Sequence, residues 1–415
     1  MFRKRRDLTR REFLARGAAL GVAATGVGGV LSACGGGTGT TGPFPVTIPI
    51  HTGPWLPSYE RVARMYEEET GNEVRLLPLP LEQLLSKQLV DADTEAGDYS
   101  LYTIGQNQAA EFWDAGFITP FAEVDTGFEW PEGILEYGDV CRWDAGSGYF
   151  SKDGTVLGLP VVGLIETEFY RGDLYEKLDI EGPPETWEGV ISASKKAKKK
   201  LGSDFFGYLV RGERNGASWN YLSLLMGFGG DVFADPPNDW SVTIGSDRAL
   251  AATEQWLELA SYGPPGTGSV TQSSIIALMM SGDALHTHLT PAAILPFDDP
   301  KQSALPGKID ATVVPRPEGG EHAPTGGIWI NAIPAHISEE RKRAAYDFLS
   351  FFVGERAQTE YAKARGIITN RKVYESELVR EENSQRALQA INESTPYIRR
   401  GIDYVFAAEV VTVLD

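Results

Sequence analysis

The strongest constraint on this chain is an alternation, repeated from Val46 onward, of short stretches with period two and longer stretches with period 3.6. "VTIPIHT" (Val46 to Thr52) alternates like a strand, and "PSYERVARMYEEETGNEVRLLPL" reads as an amphipathic helix stopped at Gly71 and followed by a second strand. "LEQLLSKQLVDADTEAGDYSLYTIG" gives another helix and strand, and "QAAEFWDAGFITPF" a further helix. Strands alternating with helices of this length predict an α/β fold with a largely parallel sheet. At 415 residues the chain is long for one core, which predicts two domains.

The later segments follow the same logic. "VLGLPVVGLIETEFYRGDLYEKL" is a nearly continuous apolar run that leads into a helix, and "PPETWEGVISASKKAKKKLG" is a helix opened by Pro. Its lysines (Lys195, Lys196, Lys198, Lys199, Lys200) suit a solvated face near a helix C-terminus better than an anion site. "SIIALMMSGDALHTHLTPAAIL" reads as helix, turn, short strand and a new helix, with Thr290 at its N-cap and Pro291 at its first position. "IDATVVPRPEGG" and "TGGIWINAIPA" look like paired strands. "SEERKRAAYDFLSFFVGERAQTEYAKARG" reads as two helices, the first capped by Ser338.

The N-terminus is an address. "TRREFL" (Thr9 to Leu14) matches the twin-arginine export signal and "LSAC" (Leu31 to Cys34) a bacterial lipobox, in the right order. Together they imply export, cleavage of residues 1–33, and lipidation of the Cys34 thiol. The alternative is an uncleaved N-terminal anchor. Residues 34–45, with "GGGTGTTGP", form a flexible tether that reaches on the order of 30 Å when extended. The leader holds seven basic residues against two acidic ones, so the remainder is more acidic than the whole chain's net −19. Such a chain is repelled by phosphate backbones, and nucleic acid is not an expected partner.

Two cysteines, Cys34 and Cys141, allow neither a disulfide framework nor a thiolate zinc site, and Cys141 reads as a buried structural thiol. No HExxH, P-loop, GxSxG or CxxC pattern is present, so neither an enzyme nor a cofactor is expected. A dispersed Ser, His and Asp arrangement stays open. His286 and His288 in "LHTHLTP" share one face of an extended strand, as a metal would need. No third ligand is suggested nearby, which leaves cleft lining or structural hydrogen bonding as the better readings.

The order of these elements resembles the extracellular solute-binding proteins of ABC importers, family 1, the large carbohydrate-binding group. The stretches that carry the resemblance are "YEEETGNEVRL", "AEFWDAGFITPF", "LGLPVVGLIETEFYRGDLYEKLDIEGPPETWE", "LMMSGDALHTHLTPA", "GGIWINAIP" and "AAYDFLSFFVGERAQTEYAKARGIITNRKVY". The resemblance implies a two-lobe periplasmic-binding-protein (Venus flytrap) fold with discontinuous lobes and hinge crossovers. Crossings are implied near Val162 to Glu166, Asp310 to Thr312, and Pro334 to Ser338. They assign residues 46–164 with 312–335 to lobe 1, and 165–311 with 336–415 to lobe 2. Relatives commonly continue for a further helix beyond "DYVFAAEVVTVLD".

The implied function is that of a lipid-anchored, monomeric receptor that captures a carbohydrate, a mono- or oligosaccharide or a polyol, and hands it to ABC permease subunits in the membrane. The alternatives are the same scaffold holding a polyamine, peptide or metal chelate, or an exported glycan hydrolase. A sugar presents C–H faces and hydroxyl edges, so its cleft needs flat aromatic surfaces and amides, carboxylates or Arg. Trp329 falls where the resemblance places a cleft tryptophan. Trp55 follows the first strand, where α/β sheets place ligands. Arg211 precedes Trp219 and Asn220 at a helix start, Glu166 and Thr167 follow the first crossing, and Gln106 and Asn107 follow the "SLYTIG" strand. His288 and Thr290 complete the expected ligand-binding set.

Overall fold

The computed structural model of the chain describes residues 44–52, 55–213, 216–378, 386–401 and 407–414. The export segment 1–33, the expected lipidation site Cys34 and the tether up to residue 43 lie outside the described residues.

The first sheet is built around β14 (Thr325–Ala332), whose eight residues, TGGIWINA, are all buried. Apart from Thr325 and Asn331, whose polar groups are hydrogen-bonded, its residues are small or apolar, which suits a strand covered on both faces. β7 (Leu159–Ile165) runs antiparallel along one edge. β3 (Tyr102–Gly105) runs antiparallel along the other, and β15 (Arg399–Arg400) pairs parallel with the first residues of β14. β1 (Val46–His51) pairs parallel with β2 (Val74–Leu79), and the Ser100 amide ties it to the approach of β3 by donating to the Thr47 carbonyl at 2.8 Å.

The second sheet has the order β13 (Ile309–Thr312), β8 (Thr167–Arg171), β12 (Ala284–Leu289), β9 (Phe206–Leu209). β8 is antiparallel to both neighbours, and only β12 and β9 are parallel. Both sheets are therefore mixed, not largely parallel. A strand that arrives from the other sheet enters against the direction of those already there. The chain crosses at Glu166, between β7 and β8, and returns over residues 313–324. β13 and β14, expected as a pair, thus lie in different sheets. Two small antiparallel additions complete the strands: β4 (Arg142–Asp144) with β5 (Tyr149–Phe150) and β6 (Thr155–Val156), and β10 (Phe233–Asp235) with β11 (Asp239–Val242).

Local chemistry sets the helix ends. α1 (Leu56–Thr70) stops at Gly71, whose φ of 74° carries the chain out of the helix while its amide donates to the Glu67 carbonyl. α2 (Leu81–Thr94) and α3 (Gln106–Asp114) lead into and out of β3. α4 (Trp187–Leu201) is capped by Thr186, which accepts from the Gly189 amide. α5 (Ala217–Gly227) and α6 (Asp247–Ala260) follow β9, and α7 (Gln272–Ser281) opens on a reciprocal Thr271–Ser274 capping box.

The helices α8 (Glu339–Phe352) and α9 (Glu355–Lys363) correct the assignment of residues 336–415 to the second lobe. Phe352 packs 4.5 Å from Tyr59 of α1, Ser58 donates to the Ala364 carbonyl at 2.7 Å, and Arg61 pairs with Glu360 at 3.0 Å. The segment expected to cross is held in place: Thr119 donates to Ile333, and Ala335 to Phe117. The crossing near Pro334 to Ser338 does not occur. Among the described residues of this segment only α10 (Arg386–Ser394) reaches the second sheet, and its Arg386 pairs with Asp298 at 2.7 Å. Cys141 is fully buried, which pushes its thiol pKa well up. Among the described residues no helix is long and apolar enough to cross a membrane.

Candidate functional site

Three rings gather where β1 and β3 end. His51 is the last residue of β1, Trp55 opens α1, and Trp329 sits on β14 directly opposite Gly105. His51 stacks on Trp329 with centroids 5.7 Å apart and planes 9° apart. Trp55 leans on both, at 5.2 Å from His51 and 5.9 Å from Trp329. Gly105 gives way to Gln106 at the start of α3, and the Nε2 of buried Gln106 has no hydrogen-bond partner, nor does Nδ1 of His51. Burial lowers the His51 pKa. Asn107, half-buried, turns its Oδ1 back toward Gly105.

A second group gathers at the ends of the other sheet's strands. Glu166 occupies the first crossing, and its Oε2 lies 3.7 Å from Nε2 of His288 near the end of β12. His288 is buried, neither ring nitrogen has a hydrogen-bond partner, and burial pushes its pKa down to about 3. Burial raises the Glu166 pKa to about 7, against the pull of the Arg211 charge. Arg211 itself pairs with Glu213 at 3.0 Å, and Gly216 leaves the guanidinium the space a side chain would take. Thr290 caps the turn Pro291–Ala293 by position only: its hydroxyl makes no capping bond and is buried without a partner.

β14 joins the two groups. Residues two apart on a strand share a face, so the missing side chain of Gly327 and the indole of Trp329 look the same way. The Trp219 ring fills the space at Gly327, within 3.3 Å of where a Cβ would stand. Trp219, Trp329 and Trp55 thus follow one another along one face of β14.

Two expected ligand groups have other work. Thr167 is fully buried and donates its hydroxyl to the Leu289 carbonyl at 3.3 Å, so it ties β8 to β12. Asn220 accepts from the Arg211 amide at 3.1 Å and donates to the His288 carbonyl at 3.1 Å. Its amide is engaged at both ends and positions Arg211 and His288.

Sequence reasoning missed His51 and Trp187. Trp187 opens α4, is fully buried with an unpartnered Nε1, and its ring lies 6.5 Å from His288. A tryptophan at the first position of a helix carries no signal that separates packing from recognition. His51 was legible as the last residue of the first strand.

His286 behaves differently from His288 although the two share a strand face. Its Nδ1 lies 3.2 Å from Glu168 Oε1 and its Nε2 2.9 Å from the Tyr175 hydroxyl, while Tyr208 donates to Glu168 Oε2 at 3.2 Å. Burial raises the Glu168 pKa well above the usual carboxylate range and lowers that of His286 to about 3. His286 therefore closes a structural network and His288 does not. Among the described residues no group of three or more His, Cys, Asp or Glu side chains could share a metal ion.

This site is an aromatic wall beside buried, unspent donors and acceptors, with one titratable carboxylate. It can hold a solute that has C–H faces and several neutral polar edges. A model of the bacterial extracellular solute-binding family matches residues 61–385. A probable ABC transporter-binding protein of Deinococcus radiodurans is 24% identical over 318 residues, 72% of this chain and 69% of the relative. The mannitol-binding protein of Pseudomonas aeruginosa is 24% identical over 299 residues, 70% of this chain and 65% of the relative. Among solved structures, maltose-bound T. maritima MalE3 superposes with a TM-score of 0.74 at 21% identity, covering 89% of this chain and 92% of that one.

Proposed function

The chain belongs to the bacterial extracellular solute-binding family, and from that premise we propose that it is the receptor of an ABC importer whose cleft holds a sugar or polyol. One observation carries the choice of ligand: His51 stacks on Trp329 with Trp55 tilted against both, and buried hydrogen-bonding atoms without partners stand on Gln106 beside this wall and on His288 and Thr290 of the second group. Aromatic faces pack on the C–H faces of a sugar, and each hydroxyl can both donate and accept. Glu166 supplies the acceptor that suits two neighbouring hydroxyls. The mannitol-binding relative and the maltose-bound structure support this class of ligand.

The two crossings, at Glu166 and over residues 313–324, support a mechanism of population shift. A ligand that touches residues of both sheets gains its full contacts only when the two are brought together, so it favours the closed arrangement. The permease subunits would read that arrangement, and no bond in the solute is made or broken. The twin-arginine and lipobox motifs support export and anchoring through Cys34. In this reading one monomer suffices to bind solute.

The test is a thermal-stability scan of the purified protein with D-mannitol, ribitol, maltose and a polyamine control such as spermidine. A ligand at a hundred times its Kd adds about 2.7 kcal/mol to the folded state. A rise in Tm with a polyol or sugar and none with spermidine is expected. A shift with spermidine alone would overturn the carbohydrate reading.

A further inference from the structure

The hydrogen bonds at the first residue of β14 converge from three directions. Thr325 is fully buried, and its carbonyl accepts from the Glu166 amide at 3.0 Å, which joins the outward crossing to the end of the return crossing. Its own amide donates to the Ser223 hydroxyl of α5 at 3.1 Å. Its hydroxyl donates to the Trp219 carbonyl at 3.2 Å and lies 3.1 Å from the Ser223 hydroxyl. One assignment of protons satisfies all of these. The Thr325 hydroxyl proton goes to Trp219, so the Ser223 hydroxyl proton goes to Thr325, and Ser223 still accepts from the Thr325 amide.

The consequence is mechanical. Trp219 and Ser223 are one helical turn apart and face β14 together. The same first turn of α5 carries Asn220, whose amide holds the His288 carbonyl and the Arg211 amide. The Thr325–Ser223 hydroxyl pair therefore ties the crossings to the first turn of α5, while the Glu321 amide holds the far end of the helix by donating to the Gly227 carbonyl at 3.2 Å. We propose that Thr325, with Ser223, is the pivot of the molecule: a positioning residue that fixes the first turn of α5, and with it Trp219, Asn220 and His288, to both crossings. This deepens the solute-binding reading above, because it concerns how that cleft is assembled.

The experiment places spin labels at two exposed positions, Glu68→Cys on α1 and Ser192→Cys on α4, and measures the distance distribution between them with and without D-mannitol. In the ligand-free protein, Thr325→Val, which keeps the shape and removes the hydroxyl, is expected to broaden the distribution at least twofold, and Thr325→Ser to restore the wild-type width. Ser223→Ala is the second route to the same broadening should the valine variant fold poorly. A Thr325→Val or Ser223→Ala protein that melts at lower temperature but keeps the wild-type width has lost only a structural bond, and that result would overturn the proposal. The ligand-free comparison decides the pivot by itself. A wild-type distribution that D-mannitol leaves unmoved counts against the polyol reading and not against the pivot.

Discussion

Burial sets the behaviour of the site's individual side chains, and it sets Glu166 and His288 in opposite senses. Glu166 has a native pKa of about 7 against an ordinary 4.5, so between those values the folded protein holds more protons than the unfolded chain. Its contribution is full below about pH 4.5 and is lost as pH rises through 7, a span of about 3 kcal/mol. Buried Glu168 acts in the same direction to higher pH. His286 and His288, at about 3 against 6.5, hold fewer protons when folded, so their contribution grows as pH rises from 3 to 6.5. Between pH 4.5 and 6.5 the carboxyl groups and the histidines act in opposite directions. Glu166→Gln removes one falling term, so urea denaturation at pH 4.5, 5.5 and 6.5 should show its stability gaining on wild type by about 1.4 kcal/mol per pH unit. Parallel curves would mean that Glu166 ionises normally. At the same scale Trp329→Ala removes the ring that His51 and Trp55 rest on. It should weaken D-mannitol binding about tenfold or more in a calorimetric titration, from lost stacking of about 0.5–1.5 kcal/mol plus lost buried area.

Elements bring these side chains together, and here the sequence was legible to different depths. The period-two and 3.6 patterns predict strands and helices near Val46, Leu56, Val74 and Gln106 because each shows an apolar face to one core. Trp329 was singled out by the family resemblance, and the structure places it on β14 opposite Gly105; Gln106, the first residue past β3, was singled out as a polar terminus. The destination of a helix was not. α8 and α9 are amphipathic and would suit either sheet; Tyr59, Ser58 and Arg61 of α1 decide the matter, and no periodicity reports them. Hydrogen-bond partners were equally invisible. Thr167 and Asn220 have the chemistry of ligand contacts, yet Leu289, Arg211 and His288 take up their polar atoms. The two histidines of "LHTHLTP" separate only because Glu168 and Tyr175 flank one of them. A prediction belongs to β14 itself. A methyl group at Gly327 would stand 3.3 Å from the Trp219 ring, tighter than ordinary contact. Gly327→Ala should therefore shift that indole, change the tryptophan emission, and raise the Kd for solute several-fold with Tm lowered by only a few degrees. Unchanged emission and affinity would mean that Trp219 is not set by β14.

At the scale of the whole molecule, two mixed sheets are linked at Glu166 and over residues 313–324, α10 reaches the second sheet before β15 rejoins the first, and the proposed recognition groups sit near strand ends of both. Trp329 lies on the first sheet with His51, Trp55 and Gln106 at the ends of β1 and β3 beside it, and Glu166, Trp187, His288 and Thr290 stand by the second. In the proposed reading neither group alone surrounds a solute, and affinity depends on bringing them together. The lysines near the end of α4 are largely exposed, Lys195 pairing with Glu258 at 3.3 Å, which fits a solvated face. In the proposed reading a neutral, hydroxyl-rich solute binds once, between these groups. Isothermal titration of the purified protein with D-mannitol, ribitol and maltose tests it most directly. The account predicts saturable binding of at least one of them at one site per chain, with a negative heat-capacity change from the buried apolar surface. No heat of binding from any of the three, together with saturable binding of a charged solute, would contradict it.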